Sequence, residues 1–172
     1  LENAVVYGFE KKEEKWNIQA TNGRIVTGFD TEIFRSGEQS YKFDAITLTE
    51  GENEISAISK TFDSDYKDAY KVGIWYLLSE DYTRLDAQNG GAFFEYTLLD
   101  KNGMEIPNST YSYCISAPSY EDDIYSQHWS GNDFYIIPTK DTAQIRISIG
   151  IKAATGQVNF DDISFEKIDR KN

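Results

Sequence analysis

The chain has 172 residues, 17 basic against 29 acidic side chains for a formal charge of −12, and 40% hydrophobic and 15% aromatic residues. This length and composition suit one globular domain with a sizeable core and exclude a disordered polymer. The negative charge repels phosphate backbones and anionic lipid heads, so nucleic acid is not an expected partner.

No apolar run approaches the roughly 20 residues that cross a bilayer, and no charged-then-apolar leader opens the chain, so a soluble module is expected. Leu1 in place of a start methionine suggests an excised or processed segment. Cys114 is the only cysteine, which excludes internal disulfides and thiolate zinc clusters.

Helical periodicity is nearly absent, whereas short alternating or apolar stretches between turn residues recur. The pattern predicts an all-β chain, a two-sheet antiparallel β-sandwich of about ten strands. The first strand is 4–9. Strands 16–20 and 24–27 flank Asn22-Gly23, a hairpin signal. Ser36-Gly37 turns the chain into 40–45, and 53–62 alternates. The strongest strand is 70–78, followed by a polar loop over 81–91 and a second strong strand over 92–99. From 104 to 133 regularity lapses among tyrosines, prolines and serines, and a loop of that length in a compact domain is usually functional. The closing strands are 134–137, 144–152 and 158–165. No internal repeat or linker divides the chain, so residues 1–172 form one domain.

The last strand carries Asp161 and Asp162 side by side. Adjacent side chains in a strand point to opposite faces, so one carboxylate must turn toward the packed side, where an unpaired charge is costly. A cation would relieve that cost. Glu10, at the end of the first strand, could meet Asp161 at a calcium ion, with carbonyls of the 36–41 turn, Ser36 and Ser40 among them, completing an oxygen shell. The alternative is that Glu10 pairs with Arg35 or Lys42 while Asp161 caps a turn through its own backbone.

Several landmarks recur in order: GFE at 8–10, Trp16, RSGEQSYKF at 35–43, AISKTF at 57–62, YKVGIWY at 70–76, LLDKNG at 98–103, Trp129, IIP at 136–138 and GQVNFDDISF at 156–165. Together they resemble the carbohydrate-binding modules of families four, nine, sixteen and twenty-two, which share a galactose-binding-domain-like jelly roll. The resemblance covers nearly the whole chain. It implies a non-catalytic domain that binds soluble or amorphous polysaccharide and carries a structural calcium between first and last strands. It further implies a monomeric module of a larger secreted or cell-surface bacterial protein, appended to a glycan-degrading enzyme. Tyr7 stands where such modules often have Asn before GFE.

A sugar ring offers polar edges and an apolar C–H face, so its sites combine aromatic platforms with hydrogen-bonding side chains. Strand parity turns Val72, Ile74 and Tyr76 inward and Trp75 outward. It likewise turns Phe94, Tyr96 and Leu98 inward, leaving Glu95 and Thr97 out, and turns the isoleucines of 145–151 inward, leaving Arg146 and Ser148 out. The expected binding face is therefore Trp75 with Glu95, Thr97 and Arg146, walled by Tyr113, Tyr125 and Trp129. The resemblance points to Trp75 as well, since such modules often stack ligand at that strand position.

Two other function classes compete. A jelly-roll glycoside hydrolase or lyase would need paired carboxylates; Glu95 is a candidate for one, but Glu121, Asp122 and Asp123 sit in a charge run of the kind that more often marks a solvated loop than a catalytic partner. No GxSxG elbow precedes His128, so a serine triad is not indicated. An adhesion module would use the tyrosine-rich segment against a protein partner.

Overall fold

The computed structural model describes residues 4–10, 14–20, 24–45, 54–116 and 128–169. These form β1 (Ala4–Tyr7), β2 (Asn17–Ala20), β3 (Val26–Asp30), β4 (Ser40–Asp44), β5 (Ile55–Asp63), β6 (Ala69–Leu78), β7 (Thr83–Arg84), β8 (Gly91–Leu99), β9 (Tyr111–Cys114), β10 (Ser130–Ile136), β11 (Gln144–Lys152), β12 (Ala154–Thr155) and β13 (Gln157–Ile168). The first sheet has the order β10-β6-β13-β4-β3 with β1 also on β13, and the second has β2-β5-β11-β8-β9. Pairing is antiparallel in both, and a small β7-β12 pair stands apart. The fold is the expected two-sheet β-sandwich.

The alternation in the sequence sets which side chains fill the space between the sheets. Ile145, Ile147, Ile149 and Ile151 of β11 are fully buried, against Val72 and Ile74 of β6 and Val158, Phe160 and Ile163 of β13. Burying each such side chain contributes about 1.5–3 kcal/mol. Stacked rings bridge the two layers, Phe62 of β5 on Phe165 of β13 at 4.0 Å between centroids and Phe94 of β8 on Phe134 of β10 at 4.3 Å.

The expected hairpin around Asn22-Gly23 does not form. β2 pairs with β5 in the second sheet and β3 pairs with β4 in the first, so the connection crosses between layers. The turn dipeptide itself lies outside the described residues. The irregular segment also contains a strand the alternation did not reveal, β9, whose YSYC sequence has polar hydroxyls on both faces.

β13 is the organising strand. β6 runs along one side of it; on the other side β4 pairs with 157–160 and β1 with 163–166, leaving the register to shift between Asp161 and Ser164. The gap between β4 and β1 falls at the paired aspartates.

Candidate functional site

At that gap Asp161 and Asp162 come next to the end of the first strand, which leads to Glu10. Gly8 sits beside all three: a Cβ on it would stand 3.3 Å from Asp162 Oδ1, 3.5 Å from Glu10 Cγ and 4.0 Å from Asp161 Oδ1. The loop between β3 and β4 closes the hollow from above. The amides of Arg35 and Ser36 donate to Asp161 Oδ2 at 2.9 and 3.2 Å, and the amide of Asp162 donates to Asp161 Oδ1 at 2.8 Å. The amides of Glu38 and Gln39 donate to the Glu10 carboxylate. Gly37 is required beneath it, because its φ is +69° and a Cβ there would overlap Glu10 Oε1.

Asp161 is fully buried, and burial raises its carboxyl to about 6; the backbone donors oppose that rise and the neighbouring Asp162 charge adds to it. Two non-glycine residues here have left-handed backbones, Phe9 at φ 60° and Asp162 at φ 48°. Strain of this kind persists only where the surroundings over-determine it, and it concentrates at functional sites.

The carboxylates supply the oxygen donors that a hard cation takes, but the loop turns backbone N–H groups toward Asp161 and Glu10, which are already hydrogen-bonded. Among the described residues no three His, Cys, Asp or Glu side chains are close enough to form a complete cluster by themselves, so carbonyls would have to finish the shell. Glu10 does not pair with Arg35, whose guanidinium instead meets Asp162 at 2.9 Å. Ser36 stands at the hollow, with its hydroxyl donating to both Asp162 oxygens at 2.7 Å. The Ser40 side chain does not: its hydroxyl donates to the Ile33 carbonyl and accepts from Asn159 Nδ2 at 3.0 Å, in a buried network that includes Asp30. The reason is parity, since Ser40 begins β4 opposite Asp30 of β3 rather than ending the loop above Glu10.

The expected sugar face is not one face. Trp75 points outward from the first sheet, whereas Glu95, Thr97 and Arg146 point outward from the second, on the far side of the sandwich. Parity separates inside from outside, yet a sandwich has two outsides. Trp75 is also engaged by protein: the Arg35 guanidinium carbon lies 3.7 Å from its ring centroid, and its indole lies over Gly131, where a Cβ would come within 3.2 Å of three ring carbons. Arg35, which packs on this ring, also donates its backbone amide to Asp161 from the loop above it.

The outer side chains of the second sheet are likewise satisfied internally. Glu95 accepts from Ser112 Oγ, buried Thr97 meets Thr110 across 2.8 Å between hydroxyls, and Arg146 pairs with Glu105. Among the described residues the one ring on that face is Phe93, which is buried.

Aromatic rings gather elsewhere, at the edge where β9 and β10 face each other. Tyr96, Tyr111, Phe134, Tyr135 and Asp133 line a cavity of about 230 Å³. Tyr113, one of the expected wall residues, packs behind it with its ring 5.4 Å from Phe134, and Trp129 is half-buried just before β10. Tyr125 lies outside the described residues, as do Glu121, Asp122 and Asp123. Tyr111 is 43% and Tyr135 62% exposed. Burial raises the phenols of Tyr96 and Tyr76, so both stay neutral and able to donate or accept. Sequence reasoning missed Tyr111 and Tyr135 as a pair because they sit on different, edge strands of different sheets.

The sequence matches no protein-family model and no curated protein. Solved structures share its fold. Part of the bacteriophage CBA120 tailspike protein 4 enzymatically active domain superposes with a TM-score of 0.68 at 11% identity, over 96% of this chain and 21% of that one. The chain thus spans about a fifth of that protein. The CBM22-1 xylan-binding domain of Paenibacillus barcinonensis Xyn10C gives 0.57 at 12% identity, over 97% and 95% of the two chains. TmCBM61, solved with β-1,4-galactotriose, gives 0.53 at 16% identity, over 95% and 94%. The chain shares its β-sandwich fold with these carbohydrate-binding modules and with part of the tailspike domain.

Proposed function

We propose that this chain is a non-catalytic carbohydrate-binding domain that takes a soluble or amorphous polysaccharide at the tyrosine-walled mouth between β9 and β10. The observation that carries this reading is the gathering of Tyr96, exposed Tyr111 and Phe134 around one cavity, with β10 bringing exposed Tyr135 and the Lys71-paired Asp133 to its rim. Rings stack on the C–H face of a pyranose while the carboxylate accepts from its hydroxyls. The fold shared with a xylan-binding domain and with a module solved with β-1,4-galactotriose supports it.

A calcium ion held by Glu10 and Asp161, with carbonyls of the loop that carries Ser36, would stabilise the seam where β1 and β4 meet β13. In this reading the domain is a monomeric part of a larger secreted or cell-surface protein, bringing an attached glycan-degrading enzyme to its substrate. Affinity electrophoresis through gels containing xylan, mannan, galactan or β-glucan tests the reading. Retardation without new reducing ends is expected. New reducing ends would instead make it a hydrolase, and no retardation in any gel would end the carbohydrate reading.

A further inference from the structure

Among the described residues the sandwich is not closed at its other edge. Ile18 of β2 pairs with buried Ile58, and Phe29 of β3 pairs with buried Tyr41, so the alternation turns both toward the space between the sheets. Yet Ile18 is 69% and Phe29 53% exposed. The layers part here into a groove of about 590 Å³, within the range of small-ligand sites, lined among others by Trp16, Ile18, Phe29 and Tyr41.

Its polar groups are few. The Nε1 of Trp16 is buried and makes no hydrogen bond, a donor without an acceptor. The Tyr41 phenol and Thr27 hydroxyl lie 3.3 Å apart on the lining, and the Asn17 amide stands at the rim strand. The acid and base on the lining, Glu14 and Lys15, cancel in formal charge, and the Glu14 carboxylate already accepts the Phe9 amide at 2.7 Å.

From this geometry we infer a second ligand site, distinct from the tyrosine mouth, that takes an uncharged glycan segment between β2 and β3. Indole, phenyl and phenol faces meet the sugar C–H surface. The Tyr41–Thr27 hydroxyl pair and the Asn17 amide meet its oxygens. A charged ligand finds no net charge to oppose, and a purely aliphatic one desolvates the lining hydroxyls without giving them a new partner. The choice of ligand class rests on the carbohydrate reading above; the existence of a second site does not. Two sites on opposite edges would let one domain bridge two chains or two stretches of one, raising avidity without new contacts.

Fluorine NMR on protein labelled with 5-fluorotryptophan tests it, because the chain has three tryptophans and Trp16→Phe assigns the signal of interest. Titration with xylohexaose, mannohexaose and galactotriose should shift the Trp16 resonance with at least one of them. The shift should persist in a Tyr111→Ala, Tyr135→Ala double variant, and Ile18→Ala or Phe29→Ala should weaken it by about tenfold, as loss of one ring or apolar contact implies. Both positions are exposed enough for the variants to fold. An unmoved Trp16 signal with all three sugars overturns the second site, and binding lost only with the tyrosines then leaves the first reading intact. A Trp16 shift that follows protein concentration without sugar, together with a doubled mass in light scattering, overturns it in favour of self-association.

Discussion

Arg35 connects Trp75 to Asp162: its guanidinium carbon lies 3.7 Å from the Trp75 ring centroid while Nη1 pairs with the Asp162 carboxylate at 2.9 Å. The same residue's backbone amide donates to buried Asp161. One side chain thus ties the outer face of β6 to the carboxylate hollow.

Trp75→Ala should therefore act on stability rather than on sugar. Losing the cation–π contact of a partly desolvated pair, with some packing, costs about 1–3 kcal/mol, which for a domain of this size lowers Tm by roughly 3–9 °C. Scanning calorimetry beside glycan titration measures both. Unchanged melting together with lost glycan binding would return Trp75 to the ligand site.

Calcium should raise Tm. A ligand that binds only the folded state adds about 2.7 kcal/mol at a hundredfold excess over its dissociation constant. Glu10→Gln separates the metal from the scaffold, since its amide oxygen can still accept from the Glu38 and Gln39 amides that Glu10 now receives. The variant should melt close to the wild type in chelator and fail to respond to added calcium. A wild-type melting point indifferent to chelator would remove the ion.

Asp161 gives the metal-free protein a distinctive pH dependence. Its ordinary value is 3.8 and burial holds it at about 6 in the fold, so between those values the folded state binds more protons than the unfolded chain. Stability from this group is complete below about pH 4 and is lost as pH rises through 6, by about 3 kcal/mol in all. In chelator, the wild type should lose Tm over that window relative to Asp161→Asn. In saturating calcium the trend should reverse, because the cation takes the ionised carboxylate. Parallel curves for the two proteins in chelator would show that Asp161 ionises freely.

How far the sequence disclosed this arrangement depends on which physical signal each part carries. The isoleucines of β11 and the Val72-Ile74 pair were legible because period-two alternation encodes burial directly. Asp161 was legible because a carboxylate on the packed side of a strand demands an explanation. The shared face of Trp75 and Glu95 was misread because alternation distinguishes inside from outside and is silent on which sheet a strand joins. The Asn22-Gly23 turn misled for a related reason, as its flanking strands enter different layers. The mouth at Tyr111 and Tyr135 had no local signal at all, since it exists only where the edges of two sheets come together.

That mouth and the outer face of the second sheet make opposite predictions. Tyr111→Ala and Tyr135→Ala should each weaken glycan binding about two- to tenfold, the effect of removing one stacking ring worth about 0.5–1.5 kcal/mol, with a smaller effect on Tm for the more exposed Tyr135 than for Tyr111, which also packs on Tyr96. Glu95→Gln and Arg146→Ala should leave binding unchanged, because the Glu95 carboxylate is taken up by Ser112 and the Arg146 guanidinium by Glu105. Isothermal titration with whichever polysaccharide retards the domain most decides between them. Affinity that survives both tyrosine changes and disappears with Glu95→Gln would move the site to the second sheet, where it would have to bind sugar by hydrogen bonds without an exposed ring among the described residues.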